Sequence, residues 1–234
     1  MELGSREWQA LISDGADQLG ITLQETVPEQ FAVYAAELAA WNRKINLTAI
    51  KAPAEIAIKH FIDSIAPLSI LPQTGMLLDV GTGGGFPGLP LKIASTQLNV
   101  TLLDASRKKI NFIKHIIRVL RLHATDALQM RIEHLGRQEA FQKRFDIIVS
   151  RAFSSLSAFV QQAQPLLASQ GIMVAFKGRQ VDQELKELTA AKGKPQEGAP
   201  TQEAGLPELD LQVVRYTLPF LETKRALIIL KNRR

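Results

Sequence analysis

Four short apolar runs decide what this chain can fold into. They are Met76-Leu77-Leu78-Asp79-Val80, Val100-Thr101-Leu102-Leu103-Asp104, Phe145-Asp146-Ile147-Ile148-Val149 and Ile172-Met173-Val174-Ala175-Phe176. Each is too short for a core helix. None has the clean polar alternation of a strand with one wet face, so they read as strands buried on both faces. Helical spacing separates them. Ile110, Ile113, Ile117 and Leu120 share one face after the second run, and Leu156, Phe159, Val160 and Ala163 do so between the third and fourth. Strands alternating with helices predict an α/β fold, a mostly parallel sheet with helices on both faces. Leu211–Leu218 and Ala226–Lys231 read as two further strands, and the link Pro219–Lys224 is short enough for an antiparallel C-terminal hairpin. Ala190–Pro207, rich in Gly, Pro, Lys, Gln and Glu, reads as a mobile surface loop.

The N-terminal third is different. Residues 1–50 read as helical, with Phe31, Tyr34, Leu38, Trp41 and Ile45 at three- and four-residue steps along one face. A second helical stretch follows Pro53, from Ala54 to Leu68. Residues 1–70 are therefore expected to be a helical extension packed on a main domain of residues 71–234, the two forming one compact unit. The hydrophobic content of 46% supports a sizeable core. With no cysteine, disulfides and thiolate chemistry are excluded. The start MELGSREW lacks the pattern of a secretory signal, and no apolar stretch approaches the roughly 18 residues of a membrane span. A soluble, cytoplasmic protein is expected.

The densest chemical signal is Leu77–Gly88, where an apolar strand runs into four glycines within five residues. Glycines let the backbone turn tightly and approach a ligand closely. A helix is expected from Pro87, and its N-terminus would offer free N–H groups to a carboxylate or phosphate. Gly83–Gly88 formally fits G-x-G-x-x-G, a dinucleotide fingerprint that a glycine cluster satisfies easily. Asp79 points elsewhere. A carboxylate at that strand end would repel a pyrophosphate, but suits a cofactor carrying an ammonium and a sulfonium. S-adenosyl-L-methionine (AdoMet) has both. Asp104 ends the next strand, 23 residues past Gly81, where a carboxylate can accept hydrogen bonds from ribose hydroxyls. That feature fits NAD and AdoMet alike. Both carboxylates could also simply cap turns or helices.

DVGTGGGFPGLPL at Asp79–Leu91 resembles the loop of the GidB/RsmG-type small-subunit (16S) ribosomal RNA guanine-N7 methyltransferases. Asn46–Ile50 resembles that family's NLT element and His60–Ile65 its H-x-x-D-S segment. Leu103–Lys109 is similar to its second-strand motif, Ser150–Leu156 to its S-R-A-F-x-S-L element, and Phe176-Lys177-Gly178 to its K-G motif. The glycine loop is common to many methyltransferases, whereas the NLT and SRAF elements together are far more specific. Three features depart from the family pattern: Gly84 in the glycine loop, ASRKK in the second-strand motif, and a long loop at Ala190–Pro207.

The resemblance implies a Rossmann-like class I AdoMet-dependent methyltransferase. Gly81, Phe86 and Arg151 would line the cofactor site, and Ile132 and Glu133, in the turn after the third-strand region, would flank the adenine. Asp79, Gly83 and Asp104 complete the cofactor set. The implied reaction puts a methyl group on guanine N7, which carries a lone pair and no proton. No general base is then needed, and holding the reactants in line is the main task. No catalytic residue is assigned, and no metal is expected because His60, His115, His123 and His134 lack ligand spacing.

The partner would be 16S rRNA or the small subunit, the enzyme a monomer without a membrane role. A net charge of +5 suits a polyanionic partner. Arg107, Lys114, Arg118 and Arg121 fall along one helix stripe, and Arg43 and Lys44 precede the NLT element. Lys177, Arg179, Lys224 and Arg225 lie near strand ends or turns. His60 joins Arg43, Lys44, Arg107, Lys114, Arg118, Lys177 and Arg225 as RNA-contact candidates, each of which could equally be an ordinary solvated or packing residue. Phe153 could stack on a base or cofactor, or belong to the core. The other readings are a methyltransferase of small molecules or proteins, an NAD-dependent oxidoreductase, and an assembly factor without catalysis.

Overall fold

The computed structural model describes residues 1–151, 153, 155–178, 181–191 and 209–233. Its strands are β1 (Gly75–Val80), β2 (Leu98–Asp104), β3 (Thr125–Gln129), β4 (Phe145–Ser150), β5 (Leu167–Lys177), β6 (Leu209–Thr217) and β7 (Lys224–Asn232). They form one sheet in the order β3-β2-β1-β4-β5-β7-β6. β1 to β5 run parallel, and β7 lies antiparallel between β5 and β6. The C-terminal hairpin is thus present.

The reason the runs lack polar alternation is visible in the packing. Successive strand residues point to opposite faces. Leu77, Val100, Leu102, Ile147, Val149 and Val174 enter one core, while Leu78, Val80, Leu103, Ile148, Met173 and Ala175 enter another. The first core is closed by α1 (Arg6–Gln18), α2 (Thr26–Ile45) and a helical run from Pro53 to Ser69. That run comprises α3 (Pro53–Ile56), a wide π turn (Ala57–Ile62), α4 (Asp63–Ile65) and a tight turn (Ala66–Ser69). Helices α5 (Gly88–Ala94) and α6 (Arg107–Val119) share that face. The second core receives α7 (Ile132–Leu135), α8 (Leu156–Ala163) and α9 (Val181–Ala191). Trp8, Phe31, Tyr34 and Phe61 from the N-terminal helices are fully buried in the first core, continuous with the sheet residues.

The chain enters the sheet in the middle at β1, builds outward to β3, then returns to β4 on the other side of β1. Strand order reverses there. In open α/β sheets the ligand crevice lies at such a switch point, beyond the carboxyl ends of the strands.

Two strand assignments needed more than apolar runs. β3, with the sequence TDALQ, buries only Ala127 because it is an edge strand. The first half of β5 carries the exposed Ser169 and Gln170, so only its second half shows as an apolar run. The expected loop Ala190–Pro207 lies outside the described residues apart from Ala190 and Ala191, which end α9. No described helix is long and apolar enough to cross a membrane.

Candidate active site

The loop after β1 is braced from within by two carboxylates. Asp79 is fully buried. Its Oδ2 accepts the Thr82 hydroxyl at 2.6 Å and the Gly88 N–H at 2.8 Å. Burial pushes its carboxyl up to about 6, against the pull of those hydrogen bonds and the Arg151 charge. A Cβ on Gly88 would sit 2.7 Å from Asp79 Oδ2, so glycine is required for α5 to approach the strand. Asp104 braces the other side, with Oδ2 accepting the Gly83 N–H at 3.0 Å and Oδ1 the Ser106 N–H at 2.8 Å. Gly81 turns the chain with φ +69°. Its N–H and that of Thr82 both donate to Leu103 C=O.

The N–H groups at the start of α5, expected to be free, are bonded within the protein. Gly88 N–H is bound to Asp79 and Leu89 N–H to Gly85 C=O. Pro87 caps the helix rather than starting it. The helix start is tied into the loop, not offered to a ligand.

In front of the loop a cleft of about 330 Å³ opens at the carboxyl ends of β1 and β2. Gly81, Asp104, Ile132 and Glu133 line it together, with Met130 and Phe153 supplying apolar wall. Four of the eight predicted cofactor residues therefore meet in one place. Asp79, Gly83, Phe86 and Arg151 are not in its lining. Met130 was not singled out by the sequence. It follows β3, the strand with no apolar run, so no local pattern marks it.

Behind the loop lies a compact aromatic and charged cluster. The Phe86 ring, 6% exposed, is sandwiched between Tyr34 at 5.2 Å and His60 at 4.6 Å, with both partners nearly parallel to it. The Tyr34 hydroxyl donates to Gly84 C=O. The Arg151 guanidinium covers Phe86 at 5.5 Å and reaches Asp63 at 3.5 Å and Ser64 Oγ at 3.3 Å. Asp63 also accepts the Tyr216 hydroxyl at 2.7 Å and faces Arg225 at 3.4 Å. His60 Nε2 pairs with Thr48 Oγ1 at 2.8 Å. Burial, then the charges of Arg151 and Lys59, push the His60 imidazole down to about 3, so it is neutral near pH 7. The NLT, H-x-x-D-S and SRAF elements, far apart in sequence, meet in this cluster.

The basic candidates divide in two. Arg43, Lys44, Arg107, Lys114 and Arg118 are exposed on α2 and α6. These helices pack together through Trp41 against Phe112 and His115, and through Glu37 against His115 at 2.7 Å. His60 and Lys177 are instead inside the protein, 8% and 9% exposed. Lys177 pairs with Glu184 at 2.5 Å and donates to Phe153 C=O. Arg225 is engaged with Asp63. Neither His60 nor Lys177 offers a free surface charge. Arg179 lies outside the described residues. No group of three or more His, Asp or Glu side chains that could hold a metal occurs among the described residues.

Comparison with known proteins decides the family. The family described as "GidB: rRNA small subunit methyltransferase G" matches residues 28–199. The chain belongs to the GidB family. "Ribosomal RNA small subunit methyltransferase G" of Geotalea uraniireducens is 47% identical over 169 residues, 72% of this chain and 76% of that one. The protein so named in Geobacter sp. is 40% identical over 220 residues, 94% of this chain and 95% of that one. Among solved structures, M. jannaschii TYW2 in complex with AdoMet shares the fold at a TM-score of 0.50 and 12% identity, over 69% of each chain. The GidB match spans the glycine loop, the front cleft and the cluster behind it except Tyr216 and Arg225 of the terminal hairpin.

Proposed function

We propose that the front cleft binds AdoMet and that the protein transfers its methyl group to N7 of a guanine in 16S ribosomal RNA of the small subunit. The observation that carries this is the cleft itself. It lies at the switch point of a GidB-family sheet, with the carboxylates of Asp104 and Glu133, the positive-φ Gly81 and apolar walls converging on it. The arrangement suits an adenosine. Asp104 has lone pairs left for ribose hydroxyls, and Ile132 and Met130 supply apolar surface for the adenine, with Glu133 able to accept from its amino group. Asp79 acts through space, placing carboxylate character behind the loop near the sulfonium. Phe86 and Arg151 hold the loop from behind rather than touching the ligand with their side chains, and the Gly83 N–H ties the loop to Asp104. AdoMet, when bound, supplies the electrophilic methyl group.

The chain's own task is orientation. Guanine N7 has no proton to lose, so no general base is required, and none of the residues around the cleft is assigned that role. Positive charge develops on the purine, and carboxylate or carbonyl oxygens nearby stabilise it. The exposed Arg43, Lys44, Arg107, Lys114 and Arg118 are proposed as phosphate contacts, which makes RNA affinity fall with salt. Residues 1–70 are proposed to fold as one unit with 71–234, since both contribute to one continuous core. The working form is proposed to be a cytoplasmic monomer.

The test supplies labelled AdoMet with naked 16S rRNA, small subunits and a tRNA pool, then maps N7-methylguanine by chemical cleavage. Label at guanine N7 in a ribosomal sample is expected. Label in no ribosomal sample overturns the proposal.

A further inference from the structure

Methylation at N7 constrains how a guanine can be held. The Hoogsteen edge, N7 with O6 beside it, must face the methyl donor. The enzyme is left with the ring faces and the Watson–Crick edge, which presents N1–H and the N2 amino group. Both are donors, so the natural reader is a carboxylate accepting from both.

The cofactor cleft occupies the β1–β2 side of the switch point, which leaves the β4–β5 side for the base. A second cavity, of about 530 Å³, opens there. That is within the roughly 300–1,000 Å³ typical of ligand sites. It lies at the carboxyl end of β5 and the adjoining ends of β6 and β7, walled by Gly178, Arg215, Tyr216, Glu222, Lys224 and Arg225. Two strand spacings, roughly 10 Å, separate β4 from β7, about the reach from a transferred methyl across N7 and the purine ring to a carboxylate hydrogen-bonded at the Watson–Crick edge. The wall is also connected to the cluster behind the loop, because Tyr216 and Arg225 both engage Asp63, which faces Arg151.

Asp182 and Glu222 line this cavity, Asp63 is bonded to Tyr216 and Arg225 of its wall, and two of these three carboxylates are committed. Asp63 is occupied by Tyr216, Arg225 and Arg151. Asp182 pairs with Arg215 at 2.5 Å. Glu222 sits in the β6–β7 turn, which Leu218 N–H closes on Thr223 C=O at 2.9 Å. It is exposed and has no partner among the described residues. Lys224, two residues on and also exposed, is placed for the phosphate of the same nucleotide.

We propose that this cavity receives the target guanine and that Glu222 reads its N1–H and N2 amino group. The proposal rests on the guanine-N7 reading above. Adenine would bring the N1 lone pair against the carboxylate, so the same residue selects for guanine and against adenine.

The experiment uses the full chain and small subunits reconstituted with 16S rRNA carrying either guanosine or inosine at the methylated position. Inosine keeps N7, O6 and N1–H and lacks only the N2 amino group. For the unsubstituted enzyme, kcat/KM is expected to fall roughly 10- to 100-fold on inosine, the loss of a hydrogen bond to a charged group. Glu222→Ala should act slowly on both and discriminate between them by less than about threefold. Its AdoMet affinity and melting temperature should be unchanged, since the side chain is exposed and lies outside the cofactor cleft. A Glu222→Ala enzyme that still prefers guanosine by the original factor, at whatever absolute rate, overturns the proposal. A failure of the guanine-N7 reading is seen separately, as unsubstituted enzyme that leaves the guanosine subunits unmethylated.

Discussion

The two sides of the glycine loop are built on opposite principles. In front, the cleft is open, and its polar groups come from strand ends and from the turn after β3. Behind, Tyr34, Phe86, His60, Arg151 and Asp63 form a dense cluster whose polar atoms are largely spent on one another. The front is arranged to meet a ligand and the back to hold the loop still. Residues that a motif places together can therefore have different jobs. Gly81 faces the cleft, whereas the ring of Phe86, five residues on, faces the core.

Exchanging properties between the two sides should break this comparison. Gly81→Glu puts a large charged side chain at a φ of +69° in the cleft wall. AdoMet affinity is expected to fall roughly 100-fold or more, equivalent to about 3 kcal/mol, with the fold largely intact. Titration calorimetry and far-UV circular dichroism check it, and unchanged affinity would refute the loop's placement. Arg151→Ala acts on the back. It removes one of the two arginines facing the buried Asp63, leaving Arg225, and uncovers Phe86, so urea denaturation should show a stability loss of about 2 kcal/mol. The stability loss should exceed the loss of AdoMet binding energy measured on the folded fraction.

Acid titration sharpens the contrast. Folded Asp79 titrates near 6, above its ordinary 3.8, so its contribution to stability is full below 3.8 and is lost as pH rises through 6. Folded His60 titrates near 3, below its ordinary 6.5, so its contribution is full above 6.5 and is lost as pH falls toward 3. Between pH 4 and 6 the two oppose, each worth about 2 kcal/mol. Relative to the unsubstituted protein, Asp79→Asn should make stability rise more steeply with pH in that window, and His60→Gln should make it rise less or fall. Equal changes of slope in both variants would contradict the assignment. Tyr34→Phe should have the smallest effect. It removes one hydrogen bond to the loop, for about 1 kcal/mol in thermal unfolding and a modest weakening of AdoMet binding.

The front was legible from local chemistry at Gly81 and Asp104, whereas Ile132 and Glu133 came only through the family resemblance. An apolar strand, a glycine run and a carboxylate at the next strand end can be read by counting residues. The free helix start did not survive, because spacing cannot show that Asp79 turns inward onto Gly88. The back was legible in part, through the family motifs that hold Thr48, His60, Phe86 and Arg151, and Tyr216 stands in none of them. Thr48, His60, Phe86, Arg151 and Tyr216 converge from separate elements, and no periodicity links them. The same limit explains the basic residues. Charge alone did not distinguish the exposed Arg107 from Lys177, which is buried against Glu184. For β3, edge position left one buried residue and hence no apolar run.

A crystal structure of the full chain soaked with AdoMet tests the division most directly. The account predicts the ribose on Asp104, the adenine beside Ile132 and Glu133, and the aromatic stack behind the loop unmoved. AdoMet seated in the cavity between β5 and the terminal hairpin, with the front cleft empty, would contradict it.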